Sequence, residues 1–214
     1  MNGWTVEQIA SKAARDIPNG AHVNLGIGQP ERVADFLPNG REIVLHSENG
    51  ILGMGPKPVS GAEDGELINA GKKPVTLLDG GSFFHHADSF AMIRGRHIDI
   101  CIMGAFEVSM AGDLANWSTG KDGIPAVGGA MDLAIGARSV RVITSHVTRK
   151  GQHKLLTALS LPATAAAIVD RIYTDLAVLD PKGDHFLVIE TAPGIGSKLL
   201  AELTGAPIRF EGRG

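Results

Sequence analysis

Apolar residues recur along this chain with two periods. Over residues 5–17, Val6, Ile9, Ala10, Ala13 and Ala14 return at three- and four-residue spacing. Thr5 is a candidate N-cap and Pro18-Asn19-Gly20 a stop, so the spacing predicts an amphipathic helix. Shorter apolar runs predict strands at 22–25, 42–46, 74–78, 98–103, 140–144, 176–179 and 186–189. The 98–103 run has few polar positions, as in a strand buried on both faces. Helical patterns fill 31–37, 88–94, 130–137, 165–174 and 197–204. Residues 50–71 are irregular and rich in glycine and proline, and loops of that length in a compact domain are usually functional.

Alternating helix and strand predicts an α/β fold with a largely parallel sheet. No repeat, linker or low-complexity segment interrupts the 214 residues, which predicts one domain over 1–214.

Charge and composition narrow the function classes. A net charge of -3, with acids and bases interspersed, leaves no basic footprint for nucleic acid. No apolar stretch is long enough to span a bilayer, and the N-terminus, with Glu7 and Asp16, lacks the apolar core of a secretory signal. Cys101 is the single cysteine, so no internal disulfide forms; it reads as a small buried hydrophobe, and a cytoplasmic location is expected. Many of the 28 glycines follow apolar runs directly, where strand ends open into loops.

The sharpest chemical feature is Ser47-Glu48-Asn49-Gly50. An apolar run, Ile43-Val44-Leu45, ends by presenting one carboxylate at a turn. A carboxylate so placed can attack an acyl group, take a proton or bind a metal. Gly128-Gly129-Ala130 reads as a strand-to-helix junction whose backbone N–H groups face outward, either an oxyanion site or a tight turn. Gly26-Ile27-Gly28 follows a strand, but Glu31 stands where a dinucleotide fingerprint needs its third glycine. A nicotinamide dehydrogenase is therefore disfavoured, and the segment is either a loop beside an acyl site or a structural turn. His85, His86 and Asp88 lack the spacing and the neighbours of a metal site, so no metal is expected. Asp113 and Asn116 read as residues that tie down turns near the site.

Several motifs, in order, carry a family resemblance. His46-Ser47-Glu48-Asn49-Gly50-Ile51-Leu52-Gly53 resembles the active-site strand and loop of the β subunit of class I 3-oxoacid coenzyme A transferases. Asn24-Leu25-Gly26-Ile27-Gly28, Leu67-Ile68-Asn69-Ala70-Gly71, Ser89-Phe90-Ala91-Met92-Ile93-Arg94-Gly95, Gly112-Asp113-Leu114-Ala115-Asn116-Trp117 and Gly128-Gly129-Ala130-Met131-Asp132-Leu133 fit as well. Phe84-His85-His86-Ala87-Asp88 and Asn116-Trp117-Ser118-Thr119-Gly120 are most similar to the 3-oxoadipate branch. Leu161-Pro162-Ala163-Thr164 and the following alanines depart from the family pattern, which bears on contacts made by the last third.

The resemblance implies a three-layer open α/β fold with helices on both sheet faces. It implies a nucleophile, Glu48, that carries CoA as a thioester through ping-pong turnover, with CoA a substrate and no cofactor. It groups Asn49, Gly26, Gly28, Gly128, Gly129 and Ala130 as substrate-binding or oxyanion candidates. His85 and Lys121 are candidates for a second substrate carboxylate. It also implies a separate α subunit that completes the site, and succinyl-CoA with a 3-oxoacid as substrates. The alternatives are succinyl-CoA:acetoacetate transfer and a non-catalytic sugar-phosphate-binding or regulatory module on a related fold.

Overall fold

The computed structural model describes residues 3–120 and 128–212. In chain order the elements begin with α1 (Val6–Arg15), β1 (His22–Leu25), a 3-10 helix (Pro30–Phe36), β2 (Val44–Ser47), β3 (Ile51–Met54), β4 (Leu77–Phe83) and α2 (His86–Arg94). Then come β5 (Ile100–Gly104), β6 (Glu107–Ser109), β7 (Leu114–Ala115), α3 (Ala130–Gly136), β8 (Ser139–Ile143) and β9 (Leu155–Leu156). The chain closes with β10 (Val169–Tyr173), β11 (Ala177–Pro181), β12 (Phe186–Thr191), α4 (Ser197–Leu203) and β13 (Ile208–Phe210).

The ten-stranded sheet runs β13-β12-β11-β10-β8-β5-β1-β2-β3-β4. Its centre, β10-β8-β5-β1-β2, is parallel throughout, and antiparallel pairings flank it at β10-β11-β12 and at β2-β3-β4. The all-apolar run of β5 sits mid-sheet, with Ile100, Cys101, Ile102 and Met103 all buried. A second sheet, β7-β6-β9, lies outside the first.

Helices cover both faces. Successive side chains of a strand point to opposite sides. On β2, His46 meets Ser89 of α2, while Ser47 opens into the cavity bordered by Ala34 and Asp35 of the 3-10 helix. Helix α1 packs on that 3-10 helix, and α2 packs on α3. The first helix starts as its sequence predicts: Gln8 N–H donates to Thr5 Oγ1 at 3.3 Å and Thr5 N–H to Gln8 Oε1 at 2.8 Å, a reciprocal cap. Among the described residues no helix is long and apolar enough to cross a membrane.

Three predicted elements differ from the structure. Residues 165–174 are not a helix. Ala165 bridges to Leu114, Ala167 has φ +51°, and residues 169–173 form β10 beside β8. Local alanine propensity loses to burial of Val169, Ile172 and Tyr173 in a sheet slot that needs branched and aromatic side chains. The stretch 50–71 is not wholly irregular, because residues 51–54 form β3 against β2. The strand expected at 74–78 instead spans 77–83. There Gly53 of β3 admits the close approach of the two strands, since a Cβ on it would lie 2.9 Å from the Gly81 Cα.

Candidate active site

Glu48 opens the three-residue loop between paired Ser47 and Ile51. Gly50 closes that loop at φ +115°, with its N–H donating to the Ser47 carbonyl at 3.0 Å. A Cβ there would collide with the Phe84 carbonyl oxygen, so the turn requires glycine on both counts. The parallel strands β1, β2, β5 and β8 end on the same side, and the cleft forms at those carboxyl ends, the usual place for a ligand in such sheets.

The half-buried Glu48 carboxylate is held by one fully buried amide. Asn24, on β1, donates from Nδ2 to Glu48 Oε2 at 2.9 Å. The same amide nitrogen lies 3.2 Å from His46 Nδ1 and 3.3 Å from the His46 carbonyl. His46 is 1% exposed; burial, with nearby His22 assisting, pushes its pKa down to about 4. The ring is therefore neutral. With Asn24 donating to Nδ1, the proton sits on Nε2 and is donated to Ser89 Oγ at 2.9 Å. Phe84 stacks on the ring at 6.1 Å. On the far side of Asn24, the Cys101 thiol donates to Oδ1 at 3.8 Å, and burial and then the Glu48 charge raise its pKa. Cys101 is a buried packing group, not a nucleophile. Among the described residues Oε1 of Glu48 carries no hydrogen bond, so the network fixes one carboxylate oxygen and leaves the other open.

The cleft holds about 590 Å³ and is lined by both sequence-predicted and unpredicted residues. Gly26, Glu48, Gly128, Gly129 and Ala130 all border it. Gly26 N–H donates to the Ile102 carbonyl at 2.8 Å, and a Cβ on Gly26 would sit 3.1 Å from that oxygen. Gly129 precedes α3, and a Cβ there would stand 2.8 Å from the Phe90 ring. Asn116 lines the cleft too, but its side chain is engaged, donating to the Gly104 carbonyl at 3.3 Å and accepting from Thr164 at 2.7 Å.

Other candidates lie elsewhere. Gly28, at φ +92°, donates its N–H to Glu31 at 3.1 Å, outside the cleft lining. Asn49 donates to the Ile68 carbonyl at 2.7 Å and so ties the Glu48 hairpin to the 67–73 segment. His85 caps α2, its Nδ1 accepting from Ala87 N–H at 3.1 Å, and is not among the cleft-lining residues. His86 packs on Phe90. Lys121 lies outside the described residues.

Three residues that shape the site escaped sequence reading as functional groups. Asn24 and His46 stood inside matched motifs, and a buried polar pair on adjacent strands is the signal that marks them. Lys154 had no signal. It borders the cleft just before β9, with its ammonium on the Thr144 hydroxyl, and burial lowers its pKa while Asp175 opposes the shift.

A family model described as coenzyme A transferase matches residues 6–198. The chain is 56% identical, over 95% of its length and 94% of the relative's, to the B subunit of 3-oxoadipate CoA-transferase from Acinetobacter baylyi. It is 46% identical, over 94% of its length and 96% of the relative's, to the B subunit of succinyl-CoA:3-ketoacid coenzyme A transferase from Helicobacter pylori. The crystal structure of an acyl-CoA transferase from Escherichia coli O157:H7 superposes with a TM-score of 0.73 at 19% identity, over 98% of this chain and 42% of that one. At that identity the likeness speaks to fold, and the chain spans less than half of that structure's length.

Proposed function

Because the chain belongs to the coenzyme A transferase family, we propose that it is the β subunit of an enzyme that moves CoA from succinyl-CoA to a 3-oxoacid, 3-oxoadipate foremost. The observation that carries the mechanism is the Glu48 carboxylate, fixed through one oxygen by Asn24 and bordering a cleft with Gly129 and Ala130. Glu48 attacks the succinyl carbonyl and CoA thiolate leaves, giving a mixed anhydride. The thiolate then attacks the Glu48 carbonyl and succinate departs, leaving a thioester. The 3-oxoacid carboxylate runs these steps in reverse. Backbone N–H groups at Gly129 and Ala130 are the donors assigned to the oxyanion of each attack. The sequence balances without redox change, so it calls for no metal and no further cofactor.

A separate α subunit completes the site in this reading. Two observations support it. The Acinetobacter and Helicobacter relatives, matched over nearly their whole length, are each one subunit of their enzyme. The rim of the cleft is also apolar, with Ile27 65% and Phe106 40% exposed. The chain alone should then be inactive and regain turnover with its partner.

The direct test is mass spectrometry of the assembled enzyme after succinyl-CoA. A CoA-sized adduct is expected on the peptide containing Glu48, and borohydride should convert it to the alcohol. Full turnover by Glu48→Gln, without deamidation, would reject the mechanism. Acetoacetate is the competing acceptor, favoured by the 46% identity to the 3-ketoacid enzyme. A higher kcat/KM for acetoacetate than for 3-oxoadipate would reassign the acceptor and leave the thioester mechanism standing.

A further inference from the structure

Among the described residues lining the cleft, Glu48 is the one acid and Lys154 the one base. They are not paired: among the described residues no carboxylate lies within ion-pair distance of Lys154, and its hydrogen-bond partner is the Thr144 hydroxyl. That hydroxyl passes its own proton to the Ala105 carbonyl at 2.9 Å, so it accepts from the ammonium. Two of the three ammonium protons remain for something else, on a side chain half withdrawn from water.

We propose that Lys154 is the cation that receives the carboxylate of the incoming acid once Glu48 has become a thioester. This rests on the transfer reading above and deepens it. In the free enzyme the cleft lining carries the negative Glu48 as well as Lys154, and an acid's carboxylate meets a like charge. Forming the thioester neutralises Glu48 and leaves Lys154 the one charge among the described residues lining the cleft, with Asp175 acting on it from outside that lining, so the cleft turns more attractive to a carboxylate at the stage that requires one. The held carboxylate oxygen then attacks the Glu48 thioester carbon, the C–S bond breaks, and CoA leaves as thiolate. The thiolate next attacks the acceptor's own acyl carbon, the anhydride C–O bond breaks, and Glu48 is a carboxylate again. Lys154 changes no bond; it supplies charge and position.

The test uses the assembled enzyme, loaded to completion on Glu48 with succinyl-CoA and freed of excess. Discharge of the adduct is followed against 3-oxoacid concentration for wild type, Lys154→Met and Lys154→Arg, with hydroxylamine as a neutral nucleophile in parallel. Lys154→Met should raise the half-saturating acid concentration roughly ten- to hundred-fold, the range of one charge-assisted hydrogen bond. Lys154→Arg should recover most of it, and hydroxylamine should discharge all three alike. Unchanged acid saturation in Lys154→Met, or an equal loss with hydroxylamine, would overturn the inference. A second measurement needs no variant. An alkyl sulfonate, which mimics the carboxylate but cannot form the anhydride, should block acid discharge of the loaded enzyme far better than it blocks loading of the free enzyme. Equal inhibition of both steps would also overturn it. Absence of any Glu48 adduct in wild type is a different result, which removes the transfer reading and this inference with it.

Discussion

Glu48 and Lys154 border one cleft, yet the chain holds them in opposite ways. Glu48 sits on a three-residue hairpin with a buried amide on one oxygen, so its position is fixed by backbone and neighbour together. Lys154 reaches the cleft along a flexible side chain steadied by a single hydroxyl. The contrast fits the two tasks proposed for them. A nucleophile loses rate with small misplacement, whereas a charge that draws in a carboxylate needs reach more than rigidity.

Beneath both regions lies the same device, a buried neutral histidine bridging separate elements. His46 joins β1 to α2 through Asn24 and Ser89. His146, fully buried, joins the turn after β10 to the end of α4, contacting Thr174 Oγ1 at 3.0 Å and Thr204 Oγ1 at 2.9 Å. Burial pushes the pKa of each to about 4. One contacts the amide that holds the proposed nucleophile and the other bridges two threonines away from it, so substitutions can separate chemistry from stability.

The largest expected effect is on the Glu48 side. Glu48→Gln should cut steady-state transfer by on the order of three decades or more, read by a coupled CoA assay, with no change in thermal midpoint beyond a degree or two. Next, Asn24→Ala removes a hydrogen bond to a charged group, which is worth about 1.5–3 kcal/mol, and should lower kcat by roughly one to two decades. It should also destabilise the fold, because His46 Nδ1 is left without its donor. If kcat is unchanged, Asn24 does not position the carboxylate.

The two histidines set a pH prediction of smaller size. Their folded pKa is depressed, so the unfolded chain binds protons first as pH falls. The stability each contributes is complete above the free imidazole pKa of about 6.5 and is lost progressively as pH falls toward about 4. At pH 5 each should cost on the order of 2 kcal/mol, visible in urea midpoints between pH 7 and pH 5. His146→Gln should flatten that slope while leaving transfer intact at pH 7. His46→Gln should flatten it equally but also slow transfer, and equal effects on transfer would erase the distinction between the two.

An effect of similar size concerns α2 against α3. Gly129→Ala pushes a methyl against Phe90 and should cost about 1–3 kcal/mol of stability. Pairing it with Phe90→Leu should restore most of the loss if the clash is the cause.

Much of the site was legible because its parts are local. Gly50 follows Glu48 by two positions, and strand, acid and glycine together announce a presented carboxylate. Gly26 and the Gly128-Gly129-Ala130 junction were legible as glycines at strand and helix ends. His85 was not, because its identity as a cap depends on where α2 begins, one residue later. The alanine run at 165–167 misled for a related reason: its helix propensity is local, and the partner that overrides it, Gly112, is far away along the chain. Both Ile168 and Val169 donate their N–H groups to the Gly112 carbonyl, at 2.9 and 3.0 Å.

What the amino-acid order determined by itself is the set of local commitments: the capped first helix, the apolar strand at the sheet centre, and the turn that ends one strand in a carboxylate. These follow from periodicity, capping and backbone permission, which act within a few residues. The tertiary structure decided which groups share a cleft. Only folding brings Asn24 onto the Glu48 oxygen, buries His46 deeply enough to keep it neutral, and sets Lys154 in the same cleft with no carboxylate of the described residues at ion-pair distance. Desolvation and charge pairing depend on what stands nearby in space; Asn24 meets Glu48, and Glu48 and Lys154 come to line one cleft, only after the parallel strands have been laid side by side.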